Sequence, residues 1–295
     1  MKKLVGVYEA KKKNGELYYR SSITYFGRHI SLGSYENAQC AHLAYKEADA
    51  ILHEKELYCI DDVDLYFSAG RESEKNSEKV FAKIDMLSFE KTVILLNVRD
   101  NGIYFHSPIY LRRNYFHYYL EPGLRLTFDR DDLFYYASHK IMRRGGHLFV
   151  ADYGMQVTVP SRYGIRSFAV KDRDYRFKNQ DETDFRYANI EIINPYYGVF
   201  QEGTLKSCQY RVLIHINGNY TVGIYQDAET AAIAYNKAAD LCKQYGIHKN
   251  FPVNYIESMS PKTYAEIYSS VPISEALKKA LKSGRFKNTT SDCNP

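Results

Sequence analysis

The side chains best equipped for chemistry in these 295 residues are cations and short polar groups set on strand-like sequence. Lys11-Lys12-Lys13 stands just before Asn14-Gly15, between two β-rich runs. A charge run there is either a solvated hairpin tip or a clamp on phosphate oxygens, which needs only ammonium groups near a nucleic-acid backbone. Period-two alternation turns Arg20, Ser22 and Thr24 outward on one strand and His29 and Ser31 outward on the next, with Arg28 at the edge of the set. Tyr19, Ile23, Ile30 and Leu32 then face inward. Far along the chain the equivalent outward positions are Arg211, Leu213, His215, Asn219 and Thr221. Such a row is either an ordinary polar sheet face or a surface that recognises a ligand by its donors and acceptors. Arg143-Arg144-Gly145-Gly146 reads as a turn with two further cations, a phosphate contact or a plain basic loop.

The elements that position these groups are legible most clearly between Gly198 and Tyr245. Tyr210–Ile216 and Tyr220–Ile224 are β-rich, and Ile216-Asn217-Gly218-Asn219 between them is a hairpin signal. Asp227 caps an Ala-rich run with apolar residues at Ala228, Ala231, Ala232, Tyr235, Ala238, Ala239 and Cys242, and Gly246 stops it. That stripe predicts a helix able to lie close to a sheet. The same unit stands at the other end of the chain. Gly6-Val7-Tyr8 answers Gly198-Val199-Phe200, Tyr19-Arg20 answers Tyr210-Arg211, and Leu32-Gly33-Ser34-Tyr35 answers Val222-Gly223-Ile224-Tyr225. Ala38, Ala41, Ala44-Tyr45 and Ala48 answer Ala228, Ala231, Ala234-Tyr235 and Ala238. Repeats at opposite ends cannot stack as a solenoid does. They suit two attachments to one extended partner.

Both repeats resemble the plant ethylene-response-factor (Apetala-2 type) DNA-binding domain. The features are the G-V-x opening, the aromatic-x-x-x-Ile strand, the apolar-Gly-x-aromatic turn into the helix, and the A-x-x-A-x-x-A-Y-x-x-A helix. Tyr19 and Ser31 occupy two positions where plant members have tryptophan, which this chain lacks. The resemblance implies a three-stranded sheet on one helix, with the sheet entering the major groove of double-stranded DNA. On that reading Arg20 and Arg211 can each take a guanine edge, and Leu213 suits a thymine methyl.

The stretch Tyr175–Ile193 is similar to the ββα-metal core of phage-type HNH homing endonucleases, a family that commonly carries an appended DNA-binding domain. Its motif runs D-H-I-N-G-(N/D)-x-x-D-N-R-x-x-N-L-x-I. Asn179, Asp181, Asp184, Arg186, Asn189, Ile190 and Ile192 match it at the right spacing. Arg176 stands where the family has its metal-binding Asp, and Phe177 where it has its general-base His. Arginine is a permanent cation and phenylalanine takes no proton. The resemblance therefore implies a middle region that folds without cleaving, with no metal cofactor and with Arg176 as a contact to phosphate. The alternative is a magnesium-dependent nicking endonuclease that recruits His139 or His147 as base. A third reading is a protein-interaction module that DNA binding only assists.

Net charge is +5, which permits nucleic-acid binding without indicating it. Cys40, Cys59, Cys208, Cys242 and Cys293 form no C-x-x-C pair, against a disulfide framework or structural zinc. No signal peptide or membrane-spanning run is evident, so a cytoplasmic, nucleoid-associated protein is expected. The expected fold is α+β. Residues 1–60 form one Apetala-2-type module, 61–79 a linker, 80–195 a β-rich degenerate HNH-like middle domain, 196–260 the second module, and 261–295 a basic helical tail. In the middle, Thr92–Val98 and Gly102–Phe105 read as a hairpin around Arg99-Asp100-Asn101, Tyr115–Tyr119 as core aromatics, and Asp131–Ala137 as a short helix. Ser260-Pro261 opens a helix, Ile273–Lys282 reads as another, and Lys287–Pro295 as disorder.

Overall fold

A computed structural model describes residues 4–69, 84–203 and 208–283. The chain divides into two compact units, residues 1–163 with 177–191, and residues 164–176 with 192–295.

The first unit opens with the antiparallel sheet β1 (Val7–Lys11), β2 (Leu17–Tyr25) and β3 (Arg28–Tyr35), followed by helix α1 (Ala38–His53). Asn37 accepts from the Cys40 amide and starts the helix. Ala41, Ala44 and Ala48 are fully buried, so the helix meets the sheet across methyl groups and Ile23, Ile30 and Leu32 fill the space between. Burying an isoleucine or leucine of this kind contributes about 1.5–3 kcal/mol. Gly6 shows why the repeat needs its opening glycine: φ is +75°, and a Cβ there would stand 2.1 Å from the Tyr45 ring.

Residues 61–68, expected as linker, belong to helix α2 (Ile60–Ser68), whose Ile60 and Val63 are buried; residues 70–83 lie outside the described residues. The expected strand at Thr92–Val98 is helix α3 (Phe89–Asn101). A short apolar run does not distinguish a buried helix from a strand. The deciding residues flank it: Ser88 accepts from the Lys91 amide, and Gly102 closes the helix at φ +71°. Sheet β4 (Ile109–Leu111), β5 (Tyr115–Glu121), β6 (Leu124–Asp129) follows, then a 3-10 turn and α4 (Leu133–Ser138). Phe116, Tyr118 and Tyr119 are fully buried in β5, as core aromatics. The sheet β7 (Ile141–Arg144), β8 (His147–Asp152), β9 (Met155–Thr158) and the turn α5 (Val159–Arg162) come next. Gly145 and Gly146, both at positive φ, form the β7–β8 turn.

Two short strands, β10 (Tyr175–Phe177) and β11 (Ile190–Ile192), pair as a ribbon. Residues 193–198 then run without a helix into β12 (Val199–Glu202).

In the second unit β12, β13 (Gln209–His215) and β14 (Asn219–Tyr225) form the sheet, packed on α6 (Ala228–Gln244). Asp227 accepts from the Thr230 amide, and Gly246 follows the helix at φ +81°. Gly198, at φ +73°, lies under Tyr235 as Gly6 lies under Tyr45. Helices α7 (Pro261–Ser270) and α8 (Glu275–Lys282) complete the unit, capped by the Ser260 and Ser274 hydroxyls. The expected disorder at Lys287–Pro295 falls outside the described residues.

Candidate nucleic-acid interface

The two sheets share one register. Tyr8 lies opposite Arg20 as Phe200 lies opposite Arg211. Ser22 pairs with Ser31 and Thr24 with His29; Leu213 pairs with Thr221 and His215 with Asn219. Both contain an irregularity at the same point, between Ser21 and Ser22 and between Val212 and Leu213. The amide just beyond it donates to the opening glycine, Ser22 to Gly6 at 3.0 Å and Leu213 to Gly198 at 2.8 Å. Alternation and bulge together set the outward rows.

On the first sheet Arg20, Thr24, Arg28, His29 and Ser31 are exposed. Ser22 is not: it is 7% exposed, and its Oγ is buried without a hydrogen-bond partner. Alternation places it among the outward residues; it lies next to the irregularity and is buried. The Tyr18 hydroxyl lies 2.6 Å from an Arg20 nitrogen, and the guanidinium lies over the same ring. This holds a long side chain in one orientation. Lys11, Lys12 and Lys13 are exposed at the β1–β2 tip; Lys12 pairs with Glu16 at 3.1 Å and pulls that carboxyl below its ordinary range. Arg28 lies over the Tyr104 ring.

On the second sheet Arg211, His215, Asn219 and Thr221 are exposed and Leu213 is half-buried. Arg211 pairs with Glu202 at 2.7 Å, and His215 Nδ1 lies 2.9 Å from Asn219 Oδ1. A cavity of about 120 Å³ lies against this face, bounded among others by Phe168, Arg173, Phe200, Leu213, His215 and Asn219. Phe168 and Arg173 come from the segment 164–176, which nothing in the periodicity attached to this sheet. Asp174 organises that segment by accepting from the Val170 amide, Arg173 and Asn194. Burial alone would raise its pKa, but these bonds hold the carboxyl below the usual range.

The motif residues of 179–189 come together as a braced loop. Asn179 Nδ2 donates to Asp184 at 2.8 Å, and Asn189 Oδ1 accepts from the Asn179 amide at 2.9 Å while its Nδ2 donates to the Asp184 carbonyl. Asp181 accepts from the Thr183 amide and hydroxyl. Asp184 is 2% exposed and accepts two hydrogen bonds from the Arg186 guanidinium, at 2.9 and 2.6 Å, and one from the Arg186 amide at 3.2 Å. Burial pushes its carboxyl up, but the guanidinium and the Arg186 amide outweigh burial and lower it. Asp184 is thus engaged through both oxygens, and the exposed Asp181 through Oδ1. Phe177 is buried with its ring perpendicular to Phe185, and Arg176 is exposed on β10. His139 lies 3.5 Å from Asp152 and stacks on Tyr135; His147 is exposed at the start of β8. Among the described residues no three His, Cys, Asp or Glu side chains gather as a metal-holding group. The four described cysteines are free thiols, and no described helix is long and apolar enough to cross a membrane.

Fold and faces define an α+β protein with two copies of a sheet-on-helix module. No family model, curated protein or solved structure matches the chain.

Proposed function

We propose that this chain is a sequence-specific binder of double-stranded DNA, a transcriptional regulator of bacterial or phage type built on a catalytically inactive homing-endonuclease-like middle. The observation that carries the reading is the common register of the two outer faces, which puts Arg20, Thr24, His29 and Ser31 on one sheet where Arg211, His215, Asn219 and Thr221 stand on the other. Arg20 and Arg211 read guanine edges; a bidentate contact of this kind discriminates by about 1–3 kcal/mol. Lys11, Lys12 and Lys13 sit on phosphates, and Arg176 adds a backbone contact where a nuclease would hold its metal. Tethering two weak modules in one chain raises the effective concentration of the second. The loop of 179–189 supports an inactive middle, because Asp181 and Asp184 are engaged in bracing it.

The test is selection of bound sequences from a random duplex pool, with and without Mg²⁺. The expected result is one enriched bipartite motif in both arms and intact DNA throughout. Nicking that needs Mg²⁺ and disappears in His139→Ala or His147→Ala would establish the endonuclease instead.

A further inference from the structure

The cavity of about 120 Å³ on the second sheet has an apolar part and a polar part. Leu213 of β13, Phe200 of β12 and Phe168 of the segment 164–176 supply the apolar part. These walls are held by their own neighbours. The Phe168 ring meets Tyr197 edge-on with centres 4.9 Å apart, and the Tyr197 amide donates to Asn254 at 2.8 Å. Arg173 also borders the cavity; its guanidinium donates to Asp174 at 2.6 Å and lies over the Phe200 ring, 5.0 Å from its centre. His215 and Asn219 supply the polar part. With its hydrogen on Nδ1, His215 donates to Asn219 Oδ1 at 2.9 Å, which leaves Asn219 Nδ2 as an N–H donor at the cavity.

Size and polarity together select an occupant. An apolar cavity of roughly 150 Å³ accepts a benzene ring. The volume here therefore suits one six-membered ring and not a two-ring purine. In the major groove thymine shows a methyl group beside the acceptor O4, whereas cytosine shows an amino donor and no methyl. The apolar walls match the methyl, and the Asn219 donor matches O4 while opposing the cytosine amino group. We infer that this cavity is a thymine-reading pocket, holding the 5-methyl group against Leu213, Phe200 and Phe168 while Asn219 Nδ2 donates to O4. This rests on the DNA-binding reading and deepens it, naming one base and adding Phe168, which lies outside the sheet. The first repeat lacks the apolar position: Ser22 pairs with Ser31 there as Leu213 pairs with Thr221 here.

The experiment measures the full chain by anisotropy on its selected duplex. Each thymine in the half-site erased by Arg211→Ala is replaced in turn by uracil, or its pair by 5-methylcytosine with guanine. At one position uracil, which lacks only the methyl, should weaken binding about fourfold, as one buried methyl group does. At the same position 5-methylcytosine keeps the methyl but sets an amino group against Asn219, and should weaken binding about tenfold. Leu213→Ala and Phe168→Ala should bind thymine and uracil duplexes equally, because the methyl has lost its wall. That equality is a ratio within one variant, so a general loss of stability does not imitate it. A half-site without thymine, uracil tolerated at every position, 5-methylcytosine bound as tightly as thymine, or a uracil penalty unchanged in both variants would overturn the inference and leave the DNA reading standing. A parent chain that binds no duplex would overturn both.

Discussion

The two repeats are nearly one backbone written twice, and their differences lie in what each face meets. Both have a glycine at positive φ under a helix tyrosine, the same irregular register and the same capped Ala-faced helix. One helix position carries opposite charges. Glu47 in the first repeat accepts from the amides of Asp85, Met86 and Leu87 at 2.8–3.0 Å. Its counterpart Lys237 donates to the carbonyls of Ser269 and Val271 at 3.0 and 2.9 Å. The segment held in the first repeat leads into α3 and shows N–H groups; the one in the second leaves α7 and shows carbonyls. Tyr35 and Tyr225 reach the same two segments, through the carbonyls of Met86 and Pro272. The backbone plan therefore fixes where a support is needed, and the direction of the supported chain fixes its charge.

The largest expected effects test the close approach of strand and helix. Gly198→Ala places a Cβ 2.5 Å from the buried Tyr235 ring and 2.7 Å from the Leu213 carbonyl. Gly6→Ala places its Cβ 2.1 Å from the ring and 2.9 Å from the Cβ of Tyr45, which is partly exposed where Tyr235 is fully buried. Chemical denaturation should show losses of about 4 kcal/mol for the first and about 2 kcal/mol for the second; equal losses would mean the two contacts are not as different as they look.

The next effect separates the units by pH. Burial and the nearby Arg125 and Arg112 push His117 down from 6.5 to about 4. Its folded value lies below the unfolded one, so the unfolded chain takes the proton first. The contribution is whole above pH 6.5 and is lost as pH falls to about 4, amounting to about 3 kcal/mol from the first unit. Melting curves should follow this fall, and His117→Asn should flatten it while keeping a partner for the Thr127 hydroxyl.

Smaller still is the charge contrast on the helices. Glu47→Ala strips acceptors from three amides and should cost about 2 kcal/mol, whereas Lys237→Ala frees two carbonyls, one of them on the exposed Ser269, and should cost about 1 kcal/mol. Smallest is the tyrosine pair. Tyr225→Phe, losing a 2.7 Å bond, should cost about 1 kcal/mol, and Tyr35→Phe, losing bonds of 3.2 and 3.4 Å, about half that.

Where local residues decide, the chain could be read directly. The hairpin at Asn217-Gly218, the caps at Asp227 and Ser260, and the alanine stripes all act through their own neighbours in sequence. The helix at Phe89–Asn101 escaped because its apolar run is buried on nearly every side, which erases the period that separates helix from strand. Ser22 escaped because alternation gives a direction and not an exposure. The segment around Phe168 and Arg173 escaped because it reaches the second sheet through tertiary contact alone.

The most direct measurement is footprinting of the full chain on its selected duplex, comparing the parent with Arg20→Ala and Arg211→Ala. Two separate half-sites are expected, with Arg20→Ala erasing one and Arg211→Ala the other, while binding to random DNA stays nearly unchanged. A footprint unaffected by either substitution, or equal losses on random and selected DNA, would contradict base reading by the two sheets.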